Sequence, residues 1–135
     1  MMNFAKRREA LQKKMVEAGY ALTIVTDPNY IRYFSGMHGQ LGIEWGRPGF
    51  LIVPADGEPT IITPSMEEEM AHKQTQLENV LIWADGLDRE WRKHLDPILE
   101  QYKGQKIGID HYLMPRVVWD YIADQTGAEA LVDIA

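Results

Sequence analysis

The residues of this chain with chemistry to offer fall into a few short stretches. Between Gly36 and Gly49, five glycines punctuate a segment that also holds His38, Gln40, Glu44, Trp45 and Arg47. A run this rich in glycine forms a loop, and function concentrates in loops held by a rigid frame. Arg47 presents a planar fork able to grip a carboxylate through two parallel hydrogen bonds; Trp45 supplies a flat wall beside it, and the glycines let backbone come close. An exposed loop in which Arg47 pairs with Glu44 accounts for the same residues. Asp110-His111 sets a carboxylate beside an imidazole, a pair suited to acid-base work or metal binding. No second histidine or carboxylate stands at ligand spacing, so a strand-terminal cap or salt bridge outweighs that reading. Gly36-x-x-Gly39-x-x-Gly42 looks like a phosphate cradle, yet it follows a helix and leads towards a strand, the reverse of a phosphate-binding site, and has no Walker lysine. Ser35 and Ser65 lack a Gly-x-Ser-x-Gly setting, and His72 and His94 are isolated on polar helix faces, open to solvent. No conventional catalytic site assembles from these groups.

The elements that must position these residues follow from periodicity. Phe4, Leu11, Met15 and Ala18 share one stripe of a helix over 4–18 that Gly19 caps. Tyr20 to Thr26 is a short apolar, β-branched run, a buried strand, and Asp27-Pro28 starts a short helix over Asn29 to Phe34. Phe50 to Val53 and Thr60 to Thr63 flank Asp56-Gly57 and predict an antiparallel hairpin. A helix over Ser65 to His72 follows, with Ser65 as its N-cap and Glu67, Glu68 and Glu69 in the first turns, where the helix dipole favours them. Then come the strand Val80 to Trp83 and a helix with Leu87, Trp91, Leu95, Ile98, Leu99 and Tyr102 inward, interrupted or kinked at Pro97. The strand Lys106 to Asp110 leads to a helix with Val117, Val118, Tyr121 and Ile122 inward, and Ala130 to Ile134 closes the series. Strands alternating with helices predict an α/β fold of three layers: a mixed, mostly parallel sheet of about six strands, helices on both faces, and one antiparallel hairpin.

Length and charge bound what this frame can serve. The 135 residues suit one domain with a real core, and no repeat or linker divides them, so 1–135 reads as one unit. A net charge of −6 argues against nucleic acid or an anionic membrane as partner. The charge is uneven: basic residues gather in 1–19 and acidic ones in 56–100, which marks solvated faces or, less simply, docking between domains or subunits. With no cysteine, disulfides, thiolate metal sites and thiol nucleophiles are excluded. No segment approaches the ~20 apolar residues of a membrane helix and no export signal is evident, so the expected location is the cytoplasm.

An ordered set of segments carries a family resemblance across nearly the whole chain. These are the Arg8-x-x-Leu11 helix closed by Gly19, the stretch Asp27-Pro28-Asn29-Tyr30-Ile31-Arg32-Tyr33-Phe34-Ser35-Gly36, the hairpin around Asp56-Gly57-Glu58-Pro59, Ile107-Gly108-Ile109-Asp110, and Leu131-Val132-Asp133-Ile134-Ala135. Together they resemble the N-terminal domain of the creatinase, prolidase and aminopeptidase P family, with Trp45-Gly46-Arg47-Pro48 especially similar to creatinase. The resemblance implies a ribonuclease-H-like mixed sheet that precedes a "pita-bread" C-terminal catalytic domain. That domain supplies the dinuclear metal ligands of the peptidases, for Mn, Co or Zn, or the catalytic histidine of creatinase. It is absent from these 135 residues, so this chain alone is expected to hold no cofactor and to be inactive. The resemblance further implies a homodimer in which Arg47 and Trp45, the latter standing where creatinase has phenylalanine, reach the partner subunit's active site and hold a small substrate's carboxylate. His38, in the same loop, is a further candidate for substrate binding. Two other readings stand beside this one: a free-standing small-molecule-binding α/β module, and an enzyme built on Asp110 and His111.

Overall fold

The computed structural model describes residues 3–38, 47–84 and 90–134. Helix α1 (Phe4–Ala18) starts at Asn3, whose side chain accepts from the Lys6 amide at 3.0 Å, and stops at Gly19 in the left-handed conformation. Strand β1 (Leu22–Val25) follows, then α2 (Pro28–Ser35), with the Asp27 carboxylate capping the Asn29 amide and Pro28 in the first turn. Gly36 ends α2 at φ +83, and a Cβ there would lie 2.8 Å from the Phe4 ring. Only glycine meets both demands. After β2 (Phe50–Pro54), the Asp56-Gly57 turn leads into β3 (Thr60–Pro64). Next come α3 (Glu68–Thr75), β4 (Asn79–Trp83), α4 (Glu90–Gln101), β5 (Ile107–Ile109), α5 (Arg116–Thr126) and β6 (Leu131–Asp133).

The six strands form one sheet in the order β4-β3-β2-β1-β5-β6. Pairings β3–β4, β1–β5 and β5–β6 are parallel, whereas β2 runs antiparallel to both β1 and β3. One reversed strand therefore makes the sheet mixed, as the hairpin implies. Both faces are covered. Leu22, Ile24, Phe50, Ile52, Ile62, Ile107 and Ile109 pack against Trp91, Leu95 and Leu99 of α4 and Val118 and Ile122 of α5. On the other face, Val25, Leu51, Val53 and Ile61 meet Ile31 of α2 and Ala71 of α3, with Leu11 of α1 packed alongside. Strands β1, β2 and β5 are buried along their whole length and read as short, largely apolar runs, whereas β4 and β6 at the sheet's margins are part-exposed.

Several local expectations need correction. Ser65 is not a helix cap: it opens a 3-10 turn, Ser65–Glu67, that no side chain caps, and α3 starts after it and runs past His72 to Thr75. Val117 is 50% exposed, because Val118 and Ile122, four residues apart, set the buried stripe and Val117 falls off it. His94 is not solvated, since its Nε2 lies 2.8 Å from the Ile82 carbonyl. Pro97 does not interrupt α4, which continues through it; Pro97 and Lys93 are both exposed, so water can meet the Lys93 carbonyl that proline leaves without a donor. Ala18 is likewise exposed at the end of its stripe, and Leu87 lies outside the described residues.

Candidate functional site

Strands β1, β3, β4, β5 and β6 all end at one edge of the sheet, and β2, being reversed, begins there. The loop that enters β2 is thereby delivered to the carboxyl edge, where open α/β sheets hold their ligands. Arg47, Pro48 and Gly49 stand at this edge. Pro48 is buried and its carbonyl accepts a hydrogen bond from the Trp83 indole at 3.2 Å, which ties the segment to the end of β4. Arg47, one residue earlier, is half-buried. At the other end of the loop His38 is exposed, and its backbone amide donates to the Gln74 side chain at 2.8 Å. The described ends of the loop, 36–38 and 47–49, have no helix or strand. Trp45, with Gly39, Gln40, Gly42 and Glu44, lies outside the described residues, so a Trp45 wall and an Arg47–Glu44 pair both fall there.

The two loop ends converge. Met37 and Gly49 line one cavity of about 20 Å³, room for a single water, together with Thr26, Thr63 and Glu67. Glu67 is 4% exposed, and its carboxylate accepts from the Thr63 hydroxyl at 3.2 Å. Charge patterning alone treats Glu67 as one of three glutamates at a helix start. Its spacing of four from buried Ala71 is the signal that sets it apart, because the two share a face of the turn.

Asp110 sits at the end of β5 and is 2% exposed. Its carboxylate accepts from the Thr26 amide at 2.9 Å, the Asp27 amide at 2.7 Å and the Thr26 hydroxyl at 3.2 Å. Burial raises its pKa above the ordinary aspartate value, and those hydrogen bonds, which favour the charged form, oppose the rise. The His111 ring turns outward and stacks edge-on against Tyr112, with centroids 5.0 Å apart. The two neighbours therefore serve different surroundings, and Asp110 is the strand-terminal cap: it holds the start of α2 against the end of β5.

Comparison with known proteins decides the lineage. A family model described as the creatinase/prolidase N-terminal domain matches residues 7–135. The chain belongs to that family. No curated protein matches it. Among solved structures, this creatinase/prolidase N-terminal domain is similar to that of an X-Pro dipeptidase from Streptococcus pyogenes at TM-score 0.80 and 16% identity, covering 96% of this chain and 99% of that one. A prolidase from Thermococcus sibiricus aligns at TM-score 0.81 and 24% identity over 99% of this chain and 35% of its own. The prolidase from Pyrococcus furiosus aligns at TM-score 0.67 and 26% identity over 93% of this chain and 34% of its own. The domain thus spans about a third of those two prolidases. Among its described residues no three His, Asp or Glu side chains gather as metal ligands would, so they do not fit the dinuclear metal that the family resemblance implies for a catalytic domain. No helix among them is long and apolar enough to cross a membrane.

Proposed function

We propose that this chain is the non-catalytic N-terminal domain of a creatinase-like or Xaa-Pro dipeptidase-like hydrolase, and that it serves dimerisation and recognition of a small substrate's carboxylate. Arg47 grips the carboxylate, Trp45 walls it, His38 stands by at the other end of the loop, and the site they complete belongs to a partner subunit. The observation that carries this reading is the anchoring of the segment at Arg47. The bond from the Trp83 indole to the Pro48 carbonyl fixes the backbone next to it, so Arg47 stands on a rigid edge of the sheet. An arginine suits the task because it stays charged at working pH and matches a carboxylate's planar geometry. Hydrolysis of the C–N bond belongs to a separate C-terminal catalytic domain, with any dinuclear metal held there, in a cytoplasmic enzyme.

Light scattering of this chain, paired with titrations of creatine and Xaa-Pro dipeptides, tests the proposal. A dimer that binds one of these carboxylates weakly, and loses it in Arg47→Ala, is the expected result. Binding that Arg47→Ala leaves unchanged removes Arg47 from the role. A monomer that binds none of them rules out either role for the domain by itself.

A further inference from the structure

A second depression in the surface shares, among the described residues, only His38 with the site proposed at Arg47. Phe4 and Arg7 of α1 and Asn29, Arg32 and Tyr33 of α2 line a groove with His38, and its volume is about 490 Å³, within the range of small-molecule sites. Its charge runs against that of the chain. The sequence carries a net −6, yet among the described residues the groove is lined by two arginines and a histidine and by no Asp or Glu. Two acidic residues stand close to the lining in sequence: Glu9, which is exposed on α1 and does not line the groove, and Asp27, which is engaged as the cap of α2, where it accepts from the Asn29 amide at 3.1 Å.

Arg7 is held in place for a ligand. Its Nη1 donates to the Tyr33 carbonyl at 2.8 Å, while its guanidinium carbon lies 4.2 Å from the centroid of the Tyr33 ring and 5.4 Å from that of Phe4. One hydrogen bond and two ring faces fix the plane of the fork and leave its other N–H donors to the groove. Arg32 is exposed, and among the described residues its side chain makes no ion pair or hydrogen bond. The Tyr33 ring, in a residue half exposed, and the Phe4 ring add an apolar wall. Arginines grip carboxylates and phosphates through paired N–H donors, and aromatic faces select flat apolar bodies. We infer that the groove between α1 and α2 binds a small anion in which a carboxylate or phosphate is joined to a flat apolar body, the oxyanion on Arg7 and Arg32 and the body on Tyr33 and Phe4.

The test is calorimetric titration of this chain with phenyl phosphate and benzoate, with inorganic phosphate as the probe that lacks a body. Saturable binding of at least one aromatic anion, tighter than that of inorganic phosphate and weakened by salt, is expected. The tighter of the two aromatic anions shows whether phosphate or carboxylate is the natural head group. Arg32→Ala should weaken that binding about tenfold, the scale of one charge-assisted hydrogen bond, and Arg47→Ala should leave it unchanged, which separates this groove from the site proposed above. Because Arg7 also braces Tyr33, the decisive variant is exposed Arg32→Ala, with circular dichroism confirming its fold. Absence of binding at millimolar concentrations, equal affinity for inorganic phosphate, or equal affinity in Arg32→Ala overturns the inference.

Discussion

The corner where β1 and β5 end and the groove between α1 and α2 use charge in opposite ways. At the corner, a carboxylate is buried and fully engaged: Asp110 accepts two backbone amides and a hydroxyl from residues more than eighty positions earlier in the chain. In the groove, Arg32 is left at the surface, and Arg7 is braced by a carbonyl and two rings with donors to spare. A charge enclosed by its own backbone is a structural fastener. A charge at a surface with no carboxylate partner among the described residues is, on our proposal, a binding group, and the location of its partners, not the residue type, decides which it becomes.

The sharpest way to break this comparison is to remove the fastener. Asp110→Ala leaves the Thr26 and Asp27 amides without an acceptor. At about 1–3 kcal/mol for each buried group, the loss expected in urea unfolding is about 2–5 kcal/mol. Gly108→Ala, in the adjoining strand, should cost somewhat less, about 1–3 kcal/mol. A Cβ there would lie 2.5 Å from the Tyr20 ring and 2.7 Å from Ile134 Cγ2, and both side chains would have to shift. Asp110→Asn sharpens the contrast, because one amide oxygen can replace the single carboxylate oxygen that receives both backbone amides. Since the folded pKa of Asp110 is raised above 3.8, the native state holds its proton more tightly than the unfolded state does. The stability this group contributes is therefore greatest at low pH and falls as pH rises from the unfolded value through the folded one. Asp110→Asn should flatten that slope and match or slightly exceed the wild type at neutral pH, as pH-resolved denaturation would show.

What the sequence disclosed and what it hid divide along the same line. The strands, the hairpin and the capped helices α1 and α2 were legible because their signals are local: β-branched runs, Asp56-Gly57, Asp27-Pro28 and Gly19. The reading of Asp110 as a cap was legible too, as a residue at a strand end with no ligand partners nearby in sequence. Its acceptance of the Thr26 and Asp27 amides was not, since that contact depends on β1 and β5 being neighbours in the sheet. Glu67 hid among three glutamates, and Ser65 misled, because the chain leaves β3 through a 3-10 turn before α3 begins. The groove was invisible for the same reason. Arg7 and Arg32 lie in different helices, and only the packing of α1 on α2 sets them on one surface.

Arg32→Ala is the mildest perturbation and the one that separates binding from stability most cleanly. Its side chain is exposed and braces nothing among the described residues, so truncation leaves no buried donor behind and takes no packing from the core. Thermal and urea midpoints should therefore stay at their wild-type values while affinity for an aromatic anion falls. Arg7→Gln should differ, giving a small loss of stability along with the loss of binding, since it releases the Tyr33 carbonyl and two ring contacts. If both variants lowered stability alike, Arg32 would be a brace as Asp110 is, and the distinction between the two regions would collapse. If neither did, the positioning of Arg7 would count for nothing and the groove would be no more than two independent surface charges.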